Sequence, residues 1–133
     1  MVERFLDKGV KILSETLASG IAAKKGDTVA YSARFFLRRG DEVTPDFASI
    51  EKYPGIHELF VVDGVELIVH RTPLGRRQSI AGIEKTLEGM TPGSFREVEI
   101  APHLAYGEKG LGDLIPANAL LRARVWLHSR GSE

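Results

Sequence analysis

Long runs in which apolar and polar residues alternate, broken by one short run at helical spacing, narrow the folds open to this chain more than any other feature. In "TVAYSARFFL", Val29, Tyr31, Ala33, Phe35 and Leu37 share one face, and Ala30, Ser32 and Arg34 share the other, with Phe36 interrupting. Residues two apart project to the same side of a strand, so the run reads as a half-buried strand. "LLRARVWLH" repeats the pattern, with Leu121, Ala123, Val125 and Leu127 against Arg122 and Arg124. "FREVEI" sets Phe95, Val98 and Ile100 among charges in a less regular alternation, and "GVKILSETL" reads as a first, shorter strand.

Between Pro45 and Gly75, "IHELFVVDGVELIVHRT" holds two apolar arms around Asp63-Gly64. Asp-Gly suits the two left-handed positions of a type I′ turn, so a hairpin is expected there. "SIAGIEKTLEGM" places Ile80, Ile83, Leu87 and Met90 at helical spacing, with Glu84, Lys85 and Glu88 on the opposite side. Ser79 stands where a side-chain cap belongs, and Gly89 where a left-handed residue ends a helix. Several strands and one short helix make an α+β domain.

At 133 residues the chain has a one-domain length. Lys+Arg and Asp+Glu balance at 18 each, so there is no basic excess pointing to nucleic acid or an anionic membrane. Arg76-Arg77 is the nearest approach to a basic cluster, and a pair is the size of a solvated loop. Without cysteine there is no disulfide, thiol nucleophile or thiolate metal site. No apolar run nears the roughly 20 residues of a membrane span. "MVERFLDKGVKIL" carries Glu3 and Asp7 and has no signal-peptide core, so a cytoplasmic location is expected. His57, His70, His103 and His128 are scattered without ligand spacing, "HELF" is not H-E-x-x-H, and no metal or other cofactor is expected. The serines have no nucleophile elbow. "GEKGLG" precedes no amphipathic helix whose N-terminus would hold a phosphate.

Four segments in this order resemble the FKBP family of peptidyl-prolyl cis-trans isomerases. They are "KKGDTV" running on to "LRRGDEV", then "PLGRRQSIAGIEKTLEGMTPG", "FREVEIAPHLAYGEKG" and "LIPANALLRARVWL". The likeness covers roughly residues 9–44 and 68–128. It implies a twisted antiparallel sheet wrapped around the short helix, with a pocket between them that takes a prolyl ring. The implied activity is X-Pro isomerisation without covalent chemistry, on proline-containing polypeptides whose folding waits on a proline. The resemblance matches Tyr106 to a hydroxyl that donates to a bound peptide carbonyl, and Ile80 to a backbone N–H that donates to another. Leu114 and Ile115 match the apolar wall, and Ile83 matches the pocket floor.

Elsewhere the chain departs from the family pattern. Aligning Gly26 and Gly40 puts Ala33 at an aromatic position, Val43 at a phenylalanine and Thr44 at an aspartate. His70 and Thr72 stand where phenylalanines are usual, and Ala123 replaces an aromatic of the last strand. Val43, His70 and Ala123 are thus expected in the substrate-binding wall, with Ala33 and Ala123 either widening the pocket or filled by a neighbour such as Tyr31 or Phe35. Filling is favoured, because interiors are close-packed. The segment at about 45–67 is an insertion relative to compact members, within a single domain spanning 1–133. Two functions fit: an isomerase, or an FKBP-fold module of little activity that binds a protein segment or self-associates as a homodimer, which zero net charge does not oppose.

Overall fold

The computed structural model of the protein describes residues 4–45 and 58–132. The strands are β1 (Arg4–Asp7), β2 (Val10–Thr16), β3 (Asp27–Leu37), β4 (Glu42–Val43), β5 (Leu59–Val62), β6 (Val65–Ile68), β7 (His70–Pro73), β8 (Phe95–Ile100) and β9 (Leu121–Ser132), with one α-helix, α1 (Ala81–Leu87). Seven strands form one antiparallel sheet in the order β1-β2-β8-β9-β3-β4, with β7 also pairing with β3. β3 lies along β9 from Asp27↔Ser132 to Leu37↔Leu121, with a bulge between Ala30 and Tyr31. β1, which the alternation did not announce, adds an edge to β2.

The period-two reading of β9 holds, whereas in β3 Ala30 and Ser32, on the face opposite Val29 and Tyr31, are buried as well. Leu121, Ala123, Val125 and Leu127 are buried on the inner face. Arg122 and Arg124 point outward and pair across the ladder with Glu99 and Glu97, each at 3.1 Å. β8 differs from expectation. Its alternation is regular, but the inward residues are Arg96, Val98 and Ile100, while Phe95 faces outward against the Trp126 ring at 5.2 Å. Arg96 is buried because it has acceptors there: its guanidinium donates to the Thr86 and Glu88 carbonyls at the end of α1 and to Glu15.

The helix packs on the inner face with Ile83, Leu87 and Met90 in the core. Gly82 allows this approach, since a Cβ there would overlap the Ile100 side chain. Two expectations change. Ile80, not Ser79, is the N-cap, and it has no side-chain cap bond. Glu84 does not face solvent. It is buried and accepts hydrogen bonds from the Gly75 and Ser79 N–H groups at 3.0 and 3.4 Å. Gly89 takes the left-handed conformation (φ 87) that the helix end requires.

The hairpin forms as expected: Asp63 and Gly64 both have positive φ (51 and 76), as a type I′ turn needs. Phe60 docks it on the outer face of the sheet, 4.4 Å from the His128 ring and 5.8 Å from Trp126. The hairpin thus packs on the main sheet of its own chain. Residues 46–57, which hold the rest of the segment expected to be inserted and His57, lie outside the described residues. Among the described residues no cluster of side chains could hold a metal ion, and no helix is long and apolar enough to cross a membrane.

Candidate functional site

Three pieces of chain converge at one end of the inner face. β7 is held against β3 with His70 opposite Tyr31 and Thr72 opposite Val29. The loop from Leu74 to Ile80 then crosses to the helix, its N–H groups tied down by Glu84 from one turn inside α1. The third piece is the loop after β8, where a 3-10 turn at Pro102–Leu104 leads into Tyr106. Its glycines are structural. Gly107 N–H donates to the Pro102 carbonyl, and Gly110 N–H donates to the Tyr106 carbonyl. At Gly110 a positive φ of 65 coincides with a close approach of the Ile115 carbonyl, which a Cβ would overlap. A flexible-looking sequence thus builds a fixed support for one phenol.

These pieces enclose a cavity of about 380 Å³ lined by Tyr31, His70, Arg71, Thr72, Pro73, Gln78, Ser79, Ile80, Ile83 and Tyr106. Tyr106 is half-buried and makes no side-chain hydrogen bond among the described residues. Burial, and then the nearby Tyr31 phenol, push its pKa up to about 12. The hydroxyl therefore stays protonated and able to donate at neutral pH. Ile80, extended at ψ 146 just before the helix, also has an N–H with no acceptor among the described residues. Tyr31 is buried, and burial raises its pKa as well. Its hydroxyl reaches Ser79 Oγ at 3.4 Å, and Ser79 Oγ reaches Thr72 Oγ1 at the same distance. Both contacts are long for bonds between hydroxyls.

Of the residues expected at the site, the structure gathers Tyr106, Ile80, Ile83 and His70 around this cavity. The other four do not line it. Val43, Ile115 and Ala123 are buried core residues, and Leu114 packs against that core from the loop. Ala123 sits opposite Phe35 and Val98 in the ladder, all three buried, so the missing aromatic leaves its place to neighbours rather than to a wider pocket. Tyr31 supplies a ring to the wall, tilted at 41° to His70 with centroids 5.5 Å apart, and leaves the cavity open. Ser79 and Gln78 as lining residues were not anticipated from sequence, and Thr72 was noted only as standing at a usual phenylalanine. The inward parity of Tyr31 was a signal, but Thr72 enters only through the β3–β7 register.

A family model described as FKBP-type peptidyl-prolyl cis-trans isomerase matches residues 62–128, half of the chain. FK506-binding protein 4 of Aspergillus fumigatus is 36% identical over 114 residues, 86% of this chain and 19% of that protein. Peptidyl-prolyl cis-trans isomerase FKBP10 of Homo sapiens is 44% identical over 52 residues, 39% of this chain and 9% of its own length. The match thus spans only a small part of each relative. Among solved structures, the N-terminal domain of FKBP42 from Arabidopsis thaliana superposes with a TM-score of 0.74 at 18% identity, covering 99% of this chain and 94% of that one. At that identity the likeness speaks for the fold, a curled antiparallel sheet with one short helix. A matched family model that takes in the helix, the Tyr106 loop and most of the last strand settles the wider question: this chain belongs to the FKBP-type peptidyl-prolyl cis-trans isomerases.

Proposed function

We propose that the chain catalyses cis-trans isomerisation of X-Pro bonds in polypeptides. The observation that carries this is that two donors without an acceptor among the described residues, Tyr106 Oη and Ile80 N–H, line one cavity. Amide resonance sets a rotation barrier of about 18–20 kcal/mol. A site lowers it by taking the imide out of water and binding its twisted, less conjugated form better than either planar state. Ile83 and Pro73 offer apolar walls to the ring, while the two donors hold carbonyls of the flanking chain. No proton is transferred, so the raised pKa of Tyr106 serves only to keep its proton in place. The test is the cis-to-trans rate of proline tetrapeptides with varied residues before proline. Acceleration at micromolar protein is expected, and none on any peptide overturns the reading.

A second reading, peptide binding with slow turnover, is favoured by one feature. Hydroxyls of Tyr31, Thr72 and Ser79 form one side of the cavity where an apolar cradle would best strip water from an imide. Saturable peptide binding without rate acceleration is its signature.

A further inference from the structure

The prolyl cavity has a wall for which an unsubstituted prolyl ring has no use. Ile83 and Pro73 are apolar, but Tyr31, Thr72 and Ser79 bring three hydroxyls to the same space. Tyr31 and Thr72 are buried, at 3% and 4% exposure, while Ser79, Ile80 and Tyr106 are half-buried. The hydroxyl wall thus includes the least exposed part of the lining. An apolar group pressed against it takes water from these hydroxyls and returns no bond.

The protons of this wall do not balance. Ser79 Oγ donates to Thr72 Oγ1 at 3.4 Å, so the 3.4 Å contact between Tyr31 Oη and Ser79 Oγ takes its proton from Tyr31. Both contacts are long, and even counted as bonds they use two of the three protons. The third, on Thr72, has no acceptor among the described residues. A cavity of about 380 Å³ falls in the range of about 300–1,000 Å³ that holds drug-sized ligands, so a five-membered ring leaves space beside it. Tyr106 Oη and Ile80 N–H serve carbonyls of the flanking chain, and the spare Thr72 proton falls to whatever fills the rest of the cavity.

We infer that Thr72, with Ser79 and Tyr31 behind it, is a specificity-determining residue that selects polypeptides carrying a hydrogen-bond acceptor beside the prolyl ring. The acceptor is a hydroxyl or amide oxygen, supplied by the side chain before proline or by a hydroxylated ring. The inference rests on this cavity as the seat of the proline and adds the class of sequence that the seat prefers. Discrimination has two parts: the polar ligand gains a bond, and its apolar match leaves a buried donor unpaired.

The experiment measures the affinity of fluorescein-labelled tetrapeptides in matched pairs: threonine against valine before proline, and 4-hydroxyproline against 4-methylproline at the ring position. Within a pair the shape is nearly constant and the acceptor changes. In at least one pair the polar member is expected to bind about fivefold more tightly, as one neutral hydrogen bond allows. A gain with threonine places the acceptor on the preceding residue, and a gain with hydroxyproline places it on the ring. Thr72→Val, which suits a strand, removes the spare proton and should level the pair. Thr72→Ser keeps a hydroxyl and should retain the preference. Equal affinities within both pairs, or a preference that survives Thr72→Val, overturns the inference. The valine and methylproline peptides still bind in that case, so the proline seat stands. If no peptide binds at all, the seat falls and this inference with it.

Discussion

Tyr106 shows how one side chain can be legible in sequence and still need its surroundings. The family resemblance marked it, and the loop's bonds from Gly107 and Gly110 explain the glycines that follow it. Tyr106→Phe keeps the ring and removes the one donor. A hydrogen bond of this kind contributes about 0.5–1.5 kcal/mol net, so kcat/KM for a proline tetrapeptide should fall roughly two- to twelve-fold. The unfolding midpoint should stay within a degree or so, because the hydroxyl has no partner to lose among the described residues. A large drop in midpoint with an unchanged rate would show that the phenol serves as an internal tie instead. Tyr31 behaves differently. Alternation placed it inward, yet aligning glycines drew attention to Ala33. Pairing with His70 brings the Tyr31 ring into the cavity wall.

At the scale of the element, α1 is held by features that its own seven residues do not supply. It lacks a side-chain N-cap, and its two turns are too few to persist alone. Glu84 secures the incoming loop, and Arg96, reaching from β8, satisfies two carbonyls of the last turn. Arg96→Met should cost about 3 kcal/mol, the lower end for breaking a buried pair, since Glu15 keeps its bond to Arg4. Gly82→Ala tests the other contact. A methyl in that space forces Ile100 or the helix to shift, with a penalty of about 1–3 kcal/mol for overpacking. Chemical denaturation of both variants reads these losses. Since Ile80 and Ile83 ride on this helix, Gly82→Ala should also weaken binding of proline peptides.

At the scale of the whole molecule, two titrations couple distant parts. Asp27 at the start of β3 accepts both Arg130 N–H groups from the end of β9, at 2.9 and 3.0 Å, and those bonds hold its carboxyl below the usual 3.8. The stability this pair brings is present above pH 3.8 and is lost as pH falls through the lower folded value. His128 titrates nearer neutrality. It lies under Phe60 of the hairpin and shares a 2.9 Å bond with Ser32 Oγ, whose own proton goes to the Ile68 carbonyl. The bond therefore leaves the proton on Nε2 of the imidazole. Burial lowers its pKa from 6.5, against the opposing charge of Glu58. An unfolded chain then takes up the proton before the folded one does. Stability is full above pH 6.5 and declines as pH falls toward the folded value. Thermal unfolding across that range should show a falling midpoint, and His128→Gln, which keeps a donor, should flatten the slope. An identical slope in the variant would assign it to the other histidines.

The residue pattern alone determined the longer strands, the helix and the Asp63-Gly64 turn, because spacing of two or 3.6 and a pair of left-handed residues are properties of local backbone geometry. The family resemblance, rather than any local period, marked Tyr106, Ile80, Ile83 and His70, which the folded chain brings to one cavity. Period two says which residues share a face but not whether a face is buried, so Arg96 read as outward until α1 presented its carbonyls, and Glu84 read as solvated until the Gly75 and Ser79 N–H groups turned toward it. Burial of a charge depends on partners far along the chain, and only the tertiary structure supplies them. The same holds for the β3–β7 register that brings Thr72 to the cavity. Those arrangements arise between segments, where no local period carries information.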